Sequence, residues 1–147
     1  PGHFAVQMLE QGCTVDAFDG SAEMVALAAR HDGVTAWQAY FDDLEAVEAY
    51  DGVWANFSLL HAPRESLPTH FARIKRALKP KGIFHIGMKL GDGAARDNIG
   101  RQYTYVTESE LHQLLEGAGF TPYDVLKTEG VGFSGNLEPY ILVRSHA

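Results

Sequence analysis

With 147 residues, 46% hydrophobic and 21% charged, the chain is long enough to bury a sizeable single core and lacks the composition of a disordered or fibrous segment. Twelve basic residues against nineteen acidic leave a net charge of −7, which argues against electrostatic capture of nucleic-acid phosphate. The single cysteine, Cys13, rules out an internal disulfide and fits a reducing, cytoplasmic compartment, and no apolar run nears the ~20 residues of a membrane span.

The chain opens on Pro1-Gly2, without a methionine or a basic leader, and runs almost at once into a helical pattern. The expectation is a C-terminal portion of something longer, or a sequence that omits residues. Phe4, Val6, Met8 and Leu9, stopped by Gly12, predict a helix with a glycine cap. Thr14 to Phe18 predicts a strand, with Asp19-Gly20 as its turn. Ser21 is a good N-cap, Glu23 sits in the first turn, and Met24, Val25, Leu27 and Ala28 form an apolar stripe. Asp32-Gly33 closes that helix, and Val34 to Trp37 predicts the next strand. Phe41 to Ala49 is acidic and reads as a loop with a short helix.

Gly52 to Asn56 is a compact apolar strand of the kind buried on both faces in a parallel sheet. Leu67, Phe71, Ile74 and Leu78 predict an amphipathic helix over 67–78, stopped by Lys79-Pro80-Lys81-Gly82. Ile83 to Met88 predicts a strand, and glycine-rich Leu90 to Gly100 a loop. Thr107 and Glu110 form a capping-box pair ahead of Leu111, Leu114 and Leu115, and Gly117 and Gly119 end that helix. Tyr123 to Thr128 and Pro139 to Arg144 are the last strands. The Gly130–Asn136 link between them suits a hairpin and is too short for a helical crossover.

Strict alternation followed by a terminal antiparallel pair predicts an α/β fold: a doubly wound, mostly parallel, Rossmann-like sheet with a C-terminal antiparallel hairpin, in one domain over residues 1–147. In such sheets ligands sit outside the carboxyl ends of the strands. Asp19 falls at one such end, where a carboxylate can accept both hydroxyls of a ribose. Asn56 and Ser58 fall at another. Two such ends point to a nucleoside-containing cofactor. The histidines at 3, 31, 70, 85, 112 and 146 are scattered without an i, i+4 acidic partner, so no zinc or iron site is expected.

The ordered set of segments resembles the class I S-adenosylmethionine-dependent methyltransferases. That family has seven strands, the last antiparallel in a hairpin with the sixth, and opens on a strand and a glycine-rich loop. Pro1-Gly2 resembles the tail of that loop, with the first strand missing before it. The resemblance implies that Gly2 belongs to the cofactor loop and that Asp19, flanked by Gly20 and Ser21, binds the ribose, with Met24 against adenine. Phe41-Asp42-Asp43-Leu44 resembles the loop after the third strand, with Phe41, Asp42 and Leu44 at the adenine edge. Tyr50 to His61 resembles the fourth strand and the loop over the methionine moiety, which implies contacts from Asn56, Phe57 and Ser58. "RIKRALKPKG", Arg73 to Gly82, is similar to the helix and turn before the fifth strand. Arg101-Gln102-Tyr103-Thr104-Tyr105, followed by Glu110-Leu111, resembles a segment bordering the acceptor pocket of small-molecule members. Leu60, His61, Lys89, Arg101, Tyr103 and Tyr105 are then substrate-side candidates, with His61 as candidate general base.

Plainer readings stand beside these. Met24 is also an ordinary core position, Asp42 an acidic surface turn, Asn56 a residue satisfying loop amides, and His61 a satisfied loop histidine. The functional expectation is in-line methyl transfer from S-adenosylmethionine to a small-molecule acceptor, which needs alignment and sometimes a base but no covalent nucleophile. The short segment between the fifth strand and the Thr107 helix favours a small acceptor. Two alternatives remain: a non-catalytic remnant, which without its central strand would need a partner strand or a swap, and a nicotinamide-dependent oxidoreductase, whose G-x-G-x-x-G turn is not visible here.

Overall fold

The computed structural model describes every residue except 98, 99, 133, 134 and 136. The parts of the predicted 90–100 loop and 130–136 turn that hold those five lie outside the described residues. The chain divides into two compact units, Pro1–Leu44 and Glu45–Ala147, each described by itself.

The first unit runs α1 (His3–Glu10), β1 (Asp16–Asp19), α2 (Ala22–Ala28), β2 (Thr35–Gln38) and a 3-10 turn at Phe41–Asp43. β1 and β2 pair in parallel, from Asp16 opposite Thr35 to Asp19 opposite Gln38. Ser21 caps α2 as expected, its side chain accepting a hydrogen bond from the Met24 amide. Gly2, the N-cap of α1, has φ 82°. A Cβ there would stand 2.8 Å from the His31 ring and 3.1 Å from the Ala28 Cα, so both backbone and packing demand glycine.

The second unit contains β3 (Tyr50–Asn56), α3 (Leu67–Ala77), β4 (Leu78–Lys89), β5 (Ala94–Arg96), β6 (Gln102–Thr104), α4 (Glu108–Gly117), β7 (Thr121–Val131) and β8 (Leu137–His146), with 3-10 turns at Leu59–His61 and Arg64–Ser66. Its main sheet has the order β3-β4-β8-β7. β3 and β4 are parallel, and β8 runs antiparallel to both β4 and β7. The fold is therefore α/β, with parallel pairing that gives way to the expected antiparallel terminal hairpin. The core lies on one face of this sheet. Alternating Phe84, Ile86 and Met88 on β4 meet Val143 and Ile141 on β8, and all five are buried. Phe71 of α3 packs edge-on to Phe84 at 5.8 Å between ring centroids, and Phe120, beyond α4, approaches it at 5.0 Å.

Three local expectations change. β3 is not buried on both faces: Ala55 is buried, but Asp51 and Gly52 are exposed and Trp54 is 41% exposed. Among the described residues of this unit the strand is hydrogen-bonded to β4, and α3 meets the sheet through the Phe84 face, opposite Trp54, which stacks on His85. The Lys79–Gly82 turn does not separate helix from strand. It bulges inside β4, whose pairing with β3 jumps from Tyr50–Leu78 to Gly52–Ile83. The 90–100 segment is not all loop. Ala94–Arg96 pairs antiparallel with Gln102–Thr104, and the Asp97 carboxylate closes the hairpin by accepting from the Arg101 amide at 2.9 Å and its Nε at 2.7 Å. Among the described residues, no helix is long and apolar enough to cross a membrane.

Candidate active site

In the first unit, the carboxyl ends of β1 and β2 come together. Asp19 Oδ1 accepts the Ser21 amide at 2.8 Å, which holds the carboxylate at the strand end ahead of α2. Among the described residues its second oxygen has no partner. Gln38 Nε2 donates to the Gly20 carbonyl at 3.0 Å, and the Tyr40 ring lies so close that a Cβ on Gly20 would stand 3.1 Å from it. Phe41, Asp42 and Leu44 follow directly, in and after the 3-10 turn. Met24 is exposed on the first turn of α2. Gly2 is elsewhere: it packs against Ala28 and His31, at the far end of α2 from Asp19, roughly 10 Å along the helix.

In the second unit, Asn56 ends β3, but its side chain turns across the sheet. Its Oδ1 accepts from His85 Nε2 at 3.2 Å, and it lies over Gly87, where any Cβ would collide with it. His85 is buried and stacks on Trp54, with ring centroids 3.7 Å apart. Burial lowers the His85 pKa from 6.5 to about 4; the Arg144 charge adds to the effect and Asp124 opposes it. Above pH 6.5 the ring is neutral in both folded and unfolded chains, and His85 adds no pH dependence. As the pH falls from 6.5 toward 4, the unfolded chain binds a proton that the folded chain refuses, so stability drops. Urea unfolding at pH 7 and pH 4 is expected to show a loss on the order of 2–3 kcal/mol that the His85→Gln variant lacks. Identical pH slopes in the two proteins would refute this.

Next to Asn56, Phe57 takes a left-handed backbone conformation at φ 56°, held by its amide donating to the Gly87 carbonyl at 3.1 Å. Such a conformation costs a non-glycine residue about 1–2 kcal/mol, and such strain gathers at functional sites. Phe57 opens a pocket of about 280 Å³. Leu60 and His61, from the 3-10 turn after β3, form one side, and Lys89 at the end of β4 forms the base. Arg101 and Tyr103 reach in from the β5–β6 hairpin. The β7–β8 hairpin adds Glu138, Tyr140 and Gly130–Gly132 to the lining.

The pocket is held by specific bonds. The His61 Nδ1 lies 2.7 Å from the Gln102 carbonyl, which can only accept, so Nδ1 carries a hydrogen and, in the neutral ring, Nε2 is the acceptor. The Tyr103 ring meets the His61 ring edge-on at 4.7 Å. Thr104 Oγ1, fully buried, donates to the Ala62 carbonyl at 2.7 Å and so fastens β6 to the same turn. Arg64 is a third clamp, donating to the Glu110 carboxylate, to the Gly93 carbonyl at 3.0 Å and to the Tyr105 carbonyl. Tyr103 also supports two cations, Lys89 Nζ at 4.0 Å from its centroid and the Arg101 guanidinium at 5.5 Å.

Five of the six substrate-side candidates, Leu60, His61, Lys89, Arg101 and Tyr103, line this pocket together with Phe57, which the family resemblance had put on the cofactor. Tyr105 does not line it: β6 ends at Thr104, and the Tyr105 amide donates to the Gly93 carbonyl at 3.1 Å. Ser58 does not line it either; its carbonyl accepts the His61 amide at 3.0 Å and shapes the turn. Glu138, Tyr140 and Arg64 were missed. The alternation of 138 and 140 puts both on one face, but only the β4–β8 register, Lys89 opposite Tyr140, brings that face to the site. Among the described residues, no three His, Cys, Asp or Glu side chains gather as a metal site would.

The family described as "Methyltransferase domain" matches residues 1–82, more than half of the chain. No curated protein matches it in sequence. An S-adenosylmethionine-dependent methyltransferase from Methanosarcina mazei superposes with a TM-score of 0.83 at 17% identity, covering 97% of this chain and 85% of that one. The 1,6-didemethyltoxoflavin-N1-methyltransferase of Burkholderia thailandensis, with 1,6-didemethyltoxoflavin and S-adenosylhomocysteine bound, superposes with a TM-score of 0.80 at 30% identity, over 99% of this chain and 66% of that one. A cyclase, SpnF, shares the fold at a TM-score of 0.78 and 18% identity, over 99% of this chain and 70% of that one, so fold alone does not decide chemistry. Taken with the residue-level match, the chain belongs to the methyltransferase-domain family, the class I S-adenosylmethionine-dependent methyltransferases.

Proposed function

We propose that this chain is a cytoplasmic enzyme that transfers a methyl group in line from S-adenosylmethionine to a small-molecule acceptor held in the second unit's pocket, with His61 as general base. The observation that carries this reading is the oriented His61 imidazole. The Gln102 carbonyl occupies Nδ1, so Nε2 is the acceptor left for a proton at the pocket wall. A pocket of about 280 Å³ suits a small acceptor rather than a macromolecule. The 30%-identical relative, whose structure holds a small-molecule acceptor beside S-adenosylhomocysteine, supports the same class.

The residues present fit the cofactor by their donor set. A ribose diol offers two hydroxyl donors, and Asp19 offers a carboxylate at a strand end with one oxygen uncommitted among the described residues. Gly20 and the Phe41–Leu44 turn would flank the nucleoside. When bound, S-adenosylmethionine supplies a methyl group already activated by a sulfonium sulfur. The protein's own work is to hold the acceptor against Phe57 and Tyr103, exclude water, and take up the acceptor's proton at His61 Nε2.

Calorimetric titration with S-adenosylhomocysteine tests the cofactor assignment. The wild-type chain is expected to bind it. Asp19→Asn keeps an acceptor for the Ser21 amide but removes the charge, and is expected to weaken binding ~10-fold or more. Undiminished affinity in that variant, or NADH binding with no S-adenosylhomocysteine binding, would overturn the reading.

A further inference from the structure

A glutamate three residues after a threonine cap ordinarily returns its side chain to the cap amide. Thr107 does accept the Glu110 amide, at 3.2 Å, but the Glu110 carboxylate turns to Arg64 instead. Arg64 opens the 3-10 turn Arg64–Ser66, three residues after His61. Its Nη1 donates to Glu110 of α4. Its Nη2 donates to the Gly93 carbonyl at 3.0 Å and to the Tyr105 carbonyl. Gly93 immediately precedes β5 and Tyr105 immediately follows β6, so one nitrogen bridges both feet of the hairpin while the other ties it to a helix. The planar fork offers two nitrogens for these two tasks, where lysine has one.

The hairpin needs such a hold. It has three residue pairs, from Ala94 opposite Thr104 to Arg96 opposite Gln102. All three β5 residues are exposed, so that strand brings no buried side chain to the fold. A two-stranded ladder this short is not stable alone. Yet it has to place one atom accurately, the Gln102 carbonyl oxygen, 2.7 Å from His61 Nδ1. A neutral imidazole can carry its hydrogen on either nitrogen, and the bond that one nitrogen makes decides which. The Thr104 hydroxyl fastens β6 to the turn at Ala62. Arg64 adds the second strand and α4, and so closes a ring of contacts that leaves the turn beside His61 and returns to its Nδ1.

We infer that Arg64 is the positioning residue for His61. By joining both feet of the β5–β6 hairpin to α4, it keeps the Gln102 carbonyl on Nδ1 and thereby keeps Nε2 as the acceptor. Its consequence for methyl transfer rests on the reading of His61 as the base; the tautomer itself does not.

Nitrogen-15 NMR of the full chain, in a buffer alkaline enough to leave imidazoles neutral, reads the tautomer of each histidine. The His61 ring is identified by its loss in His61→Asn. The wild type is expected to hold the hydrogen on Nδ1. In Arg64→Met, which keeps an unbranched stem and removes the donors, the ratio of Nδ1–H to Nε2–H should fall ~5-fold or more, as the loss of one neutral hydrogen bond requires. Phe84→Leu, a change in the core where the ring packs on Phe71 and Phe120, should keep the wild-type ratio, which separates positioning from general destabilisation. If Arg64→Met does not fold, Arg64→Lys must lower the same ratio. An unchanged ratio in the Arg64 variant, or an equal fall in Phe84→Leu, overturns the role of Arg64 alone. A wild-type ring with its hydrogen on Nε2 overturns that role and the His61 base together. Failure of the same chain to bind S-adenosylhomocysteine overturns the cofactor reading and leaves the role of Arg64 standing.

Discussion

Replacing His61 by asparagine is expected to lower kcat for methyl transfer by ~100- to 10,000-fold, the range over which a positioned general base contributes. Asparagine is the informative choice. Its amide nitrogen can stand where Nδ1 stands and still donate to the Gln102 carbonyl, which is 2.7 Å from the native ring. The clamp between the 3-10 turn and β6 then survives, and so does the Thr104–Ala62 bond beside it. What disappears is Nε2, the ring nitrogen proposed to take the proton. Affinity for S-adenosylhomocysteine should be unchanged while the rate falls. A variant with a full rate, or one whose rate and cofactor affinity fall together, would assign His61 to positioning or folding instead. The comparison needs an acceptor that must lose a proton on methylation, because one already ionised in solution would not call on the base.

Phe84→Ala should be the most damaging substitution in the second unit, at about 3–5 kcal/mol. Phe84 is fully buried on β4, and its ring touches Phe71 of α3 and Phe120 beyond α4, at centroid distances of 5.8 and 5.0 Å. Truncation removes the body on which two helical segments meet the sheet, and neither neighbour is free to fill the space. Phe71 is itself fully buried within its helix, and Phe120 carries the Lys75 ammonium, 5.4 Å from its ring. Since domain stabilities run to about 5–15 kcal/mol, this is a large share of the total. Urea unfolding should show a lower midpoint with an unchanged slope. Phe84→Leu, which keeps most of the apolar volume, should lose less than half as much. Equal losses would mean that the aromatic packing is not what the site requires.

Local chemistry made much of this legible in advance. Ser21 marks the start of α2 because its oxygen satisfies an amide that the helix leaves open, and Thr107 does the same for α4, accepting from the Glu110 amide at 3.2 Å. Gly12 ends α1 with φ 85°. Leu67, Phe71 and Ile74 fall on one face of α3, and all three are buried. The burial of β3 was misjudged because a run such as Val53-Trp54-Ala55 looks the same whether both faces are covered or one. The β5–β6 hairpin was missed because its turn depends on Asp97 folding back onto Arg101, with no Asn-Gly or Asp-Gly pair to announce it.

The candidate site divides the same way. Asp19, His61, Lys89 and Tyr103 could be nominated from the chain alone, since strand ends and the turns that follow them are local features. Glu138, Tyr140 and Arg64 could not, because their importance comes from partners more than 28 positions away: Glu138 from Lys89, Tyr140 from Phe57, Arg64 from Gly93 and Tyr105. Residue order by itself determined the α/β class, the helix ends and the placing of a carboxylate, Asp19, at a strand end, because caps, periodicity and strand ends act over a few neighbours. Only the tertiary structure decided which side chains share the pocket, because the β4–β8 register is a pairing between distant strands, and a slip of one residue would turn Glu138 and Tyr140 away from Lys89.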